Sequence, residues 1–476
     1  MVFLKTRNRP SMRPFRFCVA CLAAVPGAAA ARAQAVLDAD EEAKIVELVK
    51  ASGVPSASVA VVLHGELVCA KAFGKADLNS NRAADASTRY FVGSVSKQFT
   101  AAAILLAAED GKLSLDDRVS RFYPELTRSG DVTLRELLGH SSGYEDYAPQ
   151  DYLIPEWTRP TTPDAVIGAW AGKPLDFEPG TRWQYSNTNY VLAARIFEKA
   201  TGESLVPFLK RRIFGPLGMT SASDGYLERR PADAAPCTRY GLGPARPVAP
   251  EAPDWYYGAA ELAMTPSDLA RWDAALLHHQ ILSEKSYRDF TGEVRLKNGD
   301  LTHYALGLGV GDMDGIPRIS HTGEVSGFLT SNAVFPTRDA AVVVCTNQDS
   351  VFVFRTIAAQ VAKWLLEPEN RIADTAAPAE LSQVEAIVDG LRKGRIDRSL
   401  LTPNASSYFS TTALGDIRAS LKPLGAVRKV ERTQAALRGG MTYRQYTVHF
   451  RKGAVEITVY LTPLGLYEQF LIAQDI

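Results

Sequence analysis

Cysteine is scarce in this chain, with five in 476 residues. Two of them, Cys18 and Cys21, fall in the first 35 residues, which leaves Cys69, Cys237 and Cys345 far apart in sequence. Three isolated cysteines make no disulfide framework; they read as small core residues, with one pair still open to an oxidising compartment. An excess of charge is also missing, since 53 Lys and Arg balance 53 Asp and Glu. Basic residues nowhere cluster among aromatics, which argues against a nucleic-acid surface. No uninterrupted apolar run reaches the roughly 20 residues of a membrane span. Metal and phosphate signatures are lacking too: there is no His-Glu-x-x-His, the adjacent His278 and His279 point to different faces, and Gly307, Gly309 and Gly311 precede no helix. No segment repeats at a fixed period. The sequence therefore implies neither a metal nor a cofactor.

The first 35 residues differ from the rest. Lys5, Arg7, Arg9, Arg13 and Arg16 precede an acid-free, Ala-rich run from Phe17 to Ala31 that Pro26 and Gly27 interrupt. This is the pattern of a signal peptide, with A-x-A cleavage at Ala31 and Ala33 or at Ala33 and Ala35, and with Met12 as an alternative start. Its removal takes six of the 53 basic residues and no acid, leaving a mature chain with a net charge near −6. A periplasmic or secreted protein without a transmembrane segment in its mature chain is expected.

With 46 % apolar and 22 % charged residues the composition is globular. Its length suits two or three compact units. A helical pattern over Ala43–Ser52 leads into a hairpin, Ala57–Leu63 and Glu66–Phe73, around His64-Gly65. Gln98–Ala108 is Ala- and Leu-rich, without breakers, and stops at Asp110-Gly111, as a buried helix does. Helical sequence with Pro- and Gly-rich loops follows to about residue 300. Strands return at Ala305–Val310, Ile316–His321, Leu329–Phe335 and Ala340–Asn347, before a helix at Val353–Leu366. Strands contributed from both ends of a segment predict an α/β (α+β) unit over 40–368, an antiparallel sheet flanked by helices with an inserted all-helical subdomain. Residues 369–380 read as a linker. Residues 381–476 read as a small α+β domain, with helices at Ser382–Arg395 and Ala413–Leu421, alternating strands at Arg444–Phe450 and Val455–Leu461, and a third strand near Leu466–Ile472.

Serine becomes a nucleophile only when a neighbour takes its proton or stabilises its alkoxide. In Ser94-Val95-Ser96-Lys97 a helix opens with the hydroxyl and the amine one turn apart on one face. The helix N-terminus adds partial positive charge beside the reacting atom. A Ser-x-x-Lys alone occurs by chance roughly once in a chain of this length, and an N-cap serine beside a solvated lysine is its bland counterpart. Two later motifs raise its weight. Tyr185-Ser186-Asn187 follows the turn-rich Glu178-Pro179-Gly180-Thr181, and His321-Thr322-Gly323 ends the strand begun at Ile316.

On these three motifs, in this order, the stretch from about Ile45 to Leu366 resembles the serine β-lactamase and penicillin-binding-protein superfamily, in particular class C β-lactamases, DD-peptidases and related carboxylesterases. Thr133 to Gly143, Phe214 to Met219 and Thr265 to Ala270 look similar too. The resemblance implies that Ser94 attacks a carbonyl, that Lys97 holds or accepts its proton and that Tyr185 relays it to the leaving group. It further implies that Asn187 bonds Lys97 and a substrate amide, that His321, Thr322 and Gly323 line the cleft, and that the backbone N–H groups of Ser94 and Glu324 form the oxyanion hole. Each such donor is worth roughly 3 kcal/mol in the transition state. Gly323 is then expected to leave room for substrate against the backbone.

One departure is His321, because class C β-lactamases mostly carry lysine there. Lysine is charged near neutral pH and histidine only partly, which weakens recognition of a β-lactam carboxylate. Gly139-His140-Ser141-Ser142-Gly143 matches the nucleophile elbow of α/β-hydrolases, yet a short helix precedes it and a loop follows, so Ser141 reads as structural. The expected function is an exported serine hydrolase acting on a small ester, amide or D-amino-acid peptide, as a DD-carboxypeptidase, D-aminopeptidase, carboxylesterase or β-lactamase. The alternative is a catalytically slow, penicillin-binding or sensor-type protein whose C-terminal domain, NTF2-like in resemblance, binds a partner.

Overall fold

The computed structural model describes residues 37, 39–366, 378–438 and 441–473. The expected signal peptide and most of the expected linker lie outside the described residues.

The run Ser-Ala-Ser-Val-Ala-Val-Val-Leu at Ser56–Leu63 is small and β-branched on both of its faces, and that is how it is used. It sits inside a seven-stranded antiparallel sheet ordered Arg82–Ala83, Glu66–Asp77, Ser56–Leu63, Ala340–Thr346, Phe328–Phe335, Ile316–Val325, Gly309–Met313. Val59 faces Val344 and Ala60 faces Val343 across the central pair. Alternation sends Val59, Val61, Val342 and Val344 to one face, under helices Ala39–Ser52 and Val353–Leu366. Ala60, Val62, Val343 and Cys345 point to the other, toward helix Ser96–Glu109 and the long insertion between Asp77 and Gly309. Because helices cover both faces, these strands read as continuous apolar runs.

The fold class is the α+β arrangement expected, and two details differ. Ala305–Leu308 is not strand: the Ala305 N–H closes on the Leu308 carbonyl at 2.7 Å, and Gly307 adopts a φ of +80°, so the edge strand begins only at Gly309. A side chain at 307 would also stand 2.9 Å from the Lys97 carbonyl. The insertion is mostly helical but also holds a three-stranded sheet, Tyr90–Phe91, Leu262–Met264 and Ser223–Asp224, and a pair, Cys237–Thr238 with Arg246–Pro247. Strands of two or three residues carry no periodicity to detect.

From Pro378 the chain builds a second core of its own. Helices Pro378–Arg392 and Thr411–Leu421 cover one face of a four-stranded antiparallel sheet, Val427–Arg438, Met441–Phe450, Ala454–Leu461 and Tyr467–Ala473. The first of these strands escapes a sequence reading because Arg428, Lys429, Glu431 and Arg432 obscure its alternation. Cys69, Cys237 and Cys345 are free and buried.

Candidate active site

Ser94 lies in a single 3-10 turn, Gly93–Val95, that runs directly into helix Ser96–Glu109. The first residues of that helix are fully buried, and Lys97 is buried with them. An ammonium group in such a place must find three acceptors for its three hydrogens. Lys97 Nζ donates to Ser94 Oγ at 3.0 Å, to Asn187 Oδ1 at 2.8 Å and to the Ala259 carbonyl at 3.0 Å. It also stands 4.9 Å from the centre of the Tyr185 ring. Ser94, Lys97, Tyr185 and Asn187, spread over more than 90 residues of sequence, thus meet at one amine.

Asn187 opens helix Asn187–Thr201, and its amide has only one orientation available. Its Nδ2 donates to Asp146 Oδ1 at 3.1 Å and to the Ala148 carbonyl at 3.3 Å, while its backbone N–H donates to Asp146 Oδ1 at 2.8 Å. The carbonyl end is thereby turned to Lys97. Both amide hydrogens are engaged within the protein. Asp146, which no spacing in the sequence marks, is the residue that aims Asn187.

Strand Ile316–Val325 is pressed against the Gly93–Val95 turn. A Cβ on Gly323 would lie 1.8 Å from the Val92 carbonyl and 3.2 Å from the Ser94 nitrogen; a Cβ on Gly93 would lie 2.4 Å from the Glu324 nitrogen. The backbone nitrogens of Ser94 and Glu324 are therefore neighbours across this junction. Gly323 is needed because protein backbone, rather than substrate, fills the space a side chain would take.

His321 departs from its expected state. Burial, and next the charge of Lys97, push its imidazole down to about 3, so the ring is neutral near pH 7 and supplies no cation for a carboxylate. Its Nδ1 is 2.6 Å from the Thr322 carbonyl, which can only accept, so Nδ1 carries the proton. Nε2 then accepts from the Tyr304 hydroxyl at 2.8 Å. Neutral His321 adds no second positive charge beside Lys97. Tyr185 is held by aromatic rings on several sides, with centroids 4.3 Å from His140, 6.2 Å from His321 and 6.4 Å from Tyr304. His140 is fixed by the Ser186 N–H, which donates to its Nδ1 at 3.2 Å. Ser141 beside it is buried after helix Leu134–Leu138, with no strand before it, and does not line the cleft.

These groups open into a cleft of about 250 Å³, walled by Ser94, Tyr185, Asn187, His321, Thr322 and Glu324 and by residues of the loops around Gln150 and Tyr256. Asp151, Glu251, Glu324 and Asp349 contribute four carboxyl groups to its lining, against the single guanidinium of Arg355. Among the described residues no group of His, Cys, Asp and Glu side chains is arranged to hold a metal ion. Nor is any helix there long and apolar enough to cross a membrane.

A family model described as Beta-lactamase matches residues 42–363. The Bacillus subtilis (strain 168) protein PbpX is 30 % identical over 310 residues, 65 % of this chain and 74 % of its own. Of the solved structures, the octameric penicillin-binding protein homologue from Pyrococcus abyssi covers 90 % of this chain and 98 % of its own, at 21 % identity and a TM-score of 0.62. D-amino acid amidase from Ochrobactrum anthropi SV3, complexed with D-phenylalanine, covers 71 % and 98 % at 23 % identity and a TM-score of 0.60. Both share the fold.

Proposed function

Because the chain belongs to the beta-lactamase family and is a serine hydrolase, we propose that Ser94 is its nucleophile and that it is an exported enzyme acting on small esters, amides or D-amino-acid peptides. The observation that carries this is the 3.0 Å contact from Lys97 Nζ to Ser94 Oγ, with Asn187 at 2.8 Å on the same amine.

Lys97 enters the step as the neutral amine: it takes the Ser94 proton as Oγ attacks the substrate carbonyl and becomes the ammonium that donates to Ser94, Asn187 and the Ala259 carbonyl. The tetrahedral oxyanion is received by the backbone N–H groups of Ser94 and Glu324. Tyr185, whose ring centre lies 4.9 Å from the same amine, is the residue assigned to pass the proton to the leaving alcohol or amine. Water then attacks the acyl-enzyme by the reverse proton path, releasing the acid and restoring Ser94. Neutral His321 and a cleft richer in carboxylates than in cations favour a neutral or amine-bearing substrate over an anionic β-lactam. The same charge balance suits the amide-hydrolysing activity named for the Ochrobactrum neighbour. Export is supported by the basic, then apolar, N-terminal 35 residues.

Fluorophosphonate labelling, followed by peptide mapping, tests the chemistry. Label is expected on Ser94 and lost in Ser94→Ala, with p-nitrophenyl esters and D-alanyl amides turned over faster than nitrocefin. Label on Ser141, or none in the wild type, overturns the assignment.

A further inference from the structure

The C-terminal sheet has two unlike faces. In strands Met441–Phe450, Ala454–Leu461 and Tyr467–Ala473, Tyr446, Val448, Ile457, Val459, Phe470 and Ile472 face their own helices. The opposite face carries cross-strand rows, Gln445 beside Thr458, and Tyr443 beside Tyr460 beside Gln469. By alternation this should be the wet side of a half-buried sheet. Instead Thr458, Tyr460 and Gln469 are 2 % exposed or less.

What covers them is the catalytic unit. The Asp151 N–H donates to Gln469 Oε1 at 2.5 Å, and Gln469 Nε2 returns a bond to Asp151 Oδ2 at 2.9 Å. The Tyr152 hydroxyl donates to the Glu468 carbonyl at 2.7 Å, and its ring packs 5.3 Å from Tyr408. Arg246 pairs with Asp416 at 2.9 Å, and Gly241 has no room for a Cβ, which would fall 2.9 Å from Ile417. With the sheet fixed in this way, Tyr443, Thr458 and Tyr460 line the same cleft as Ser94. The two tyrosine rings lie 5.2 Å apart. Tyr443 is an uncharged phenol under ordinary conditions, because burial pushes it up to about 12. Trp157, Tyr256 and Phe352 bring aromatic surface from the catalytic side.

We propose that this sheet face is the specificity wall of the active site, with Tyr443 and Tyr460 receiving a flat apolar group of the substrate and limiting how far it extends from Ser94. The proposal rests on Ser94 being the nucleophile. A planar substituent such as a benzyl or phenyl group gains contact on an aromatic surface, worth about tenfold in selectivity. A long flexible chain, or the backbone of a polymer, meets the wall instead.

Rates on p-nitrophenyl acetate, phenylacetate and octanoate test this in the full-length protein. Tyr443→Ala is expected to lower the phenylacetate-to-acetate ratio of kcat/KM about tenfold and to raise the octanoate-to-acetate ratio. Tyr443→Trp, which enlarges the wall, should lower the octanoate-to-acetate ratio, an opposite shift that loss of folding would not produce. Leu464→Ala, exposed on the same sheet's last turn, serves as a control and should keep the wild-type ratios. Unchanged ratios in both tyrosine variants, with fluorophosphonate still labelling Ser94, overturn the wall and leave the nucleophile standing. Absence of label on wild-type Ser94 removes the nucleophile, and the wall with it.

Discussion

The Tyr304 hydroxyl donates to Nε2 of His321 at 2.8 Å, and this bond fixes the imidazole that borders the cleft. Tyr304 comes from the turn before the edge strand, so an aromatic 17 residues upstream orients a side chain of the strand beside Ser94. Replacing the phenol by Tyr304→Phe removes a single buried donor, worth about 1 kcal/mol. A fall of about fivefold in kcat with little change in KM is expected in steady-state ester hydrolysis.

The neutral imidazole also sets a pH dependence. Its folded value of about 3 lies below the ordinary 6.5, so between these the unfolded chain binds the extra proton. The contribution to stability is complete above pH 6.5 and is lost as pH falls toward 3, by up to about 1.4 kcal/mol per pH unit. Thermal melts from pH 3 to 7 should show a shallower acid limb in His321→Asn. The rate profile of the wild type should show no limb from this group between pH 5 and 8.

Asp273 works in the other direction. Burial pushes its carboxyl up to about 8, with the Asn332 amide donating to Oδ1 at 2.8 Å. A protonated acid in the folded state favours folding most below its ordinary value of 3.8, and that contribution disappears as pH rises through about 8. Asp273→Asn keeps an acceptor and cannot ionise. Its melting temperature should gain on the wild type as pH is raised from 5 to 9.

Asp146 is expected to act through Asn187. In Asp146→Ala the backbone N–H and the side-chain amide of Asn187 each lose a bond to the carboxylate, and the amide is no longer held with its carbonyl toward Lys97, at a cost of about 1–3 kcal/mol. Stopped-flow acylation by a fluorophosphonate should slow by about tenfold or more, while KM for small esters stays close to wild type. An acylation rate equal to that of wild type would show that Asn187 needs no such support.

Gly323→Ala drives a methyl group into the Val92 carbonyl. The strand and the Gly93–Val95 turn must separate, costing about 1–3 kcal/mol of stability; with the proposed roles of Ser94 and Glu324 this misplaces an oxyanion donor worth about 10²- to 10³-fold in kcat. Gly311→Ala, where a Cβ meets nothing within 4 Å, is the matched control and should retain activity.

The spacing of Ser94 and Lys97 by itself marks a candidate pair, whereas Tyr185, Asn187 and His321 were marked only by the resemblance their short motifs carry; the structure gathers all five around one cleft. Asp146, Tyr304 and His140 were not legible in sequence, since an acid in a loop, an aromatic in a turn and a histidine in a misleading Gly-x-Ser-x-Gly gain their roles only from residues distant in the chain. The long strands of the main sheet announced themselves by composition; Tyr90–Phe91 and Leu262–Met264 were too short to do so. The polar side of Ala454–Leu461 was visible as alternation. Alternation says which residues share a face, and it is silent about whether water or protein lies against that face.

The centre of the main sheet joins the two ends of the catalytic unit: Ala57 faces Thr346, and the Ser56 N–H reaches Asn347 Oδ1, 291 residues away. On a growing polypeptide, Ser56–Leu63 gains its hairpin neighbour at once, yet its other edge must wait for most of the remaining catalytic unit to be made. Until then a valine-rich ribbon offers open amides and carbonyls to any passing strand. Prematurely terminated products lacking residues beyond about 340 are thus sticky fragments rather than weak enzymes, and holding the newborn molecule apart from its copies is a demand written into its connectivity.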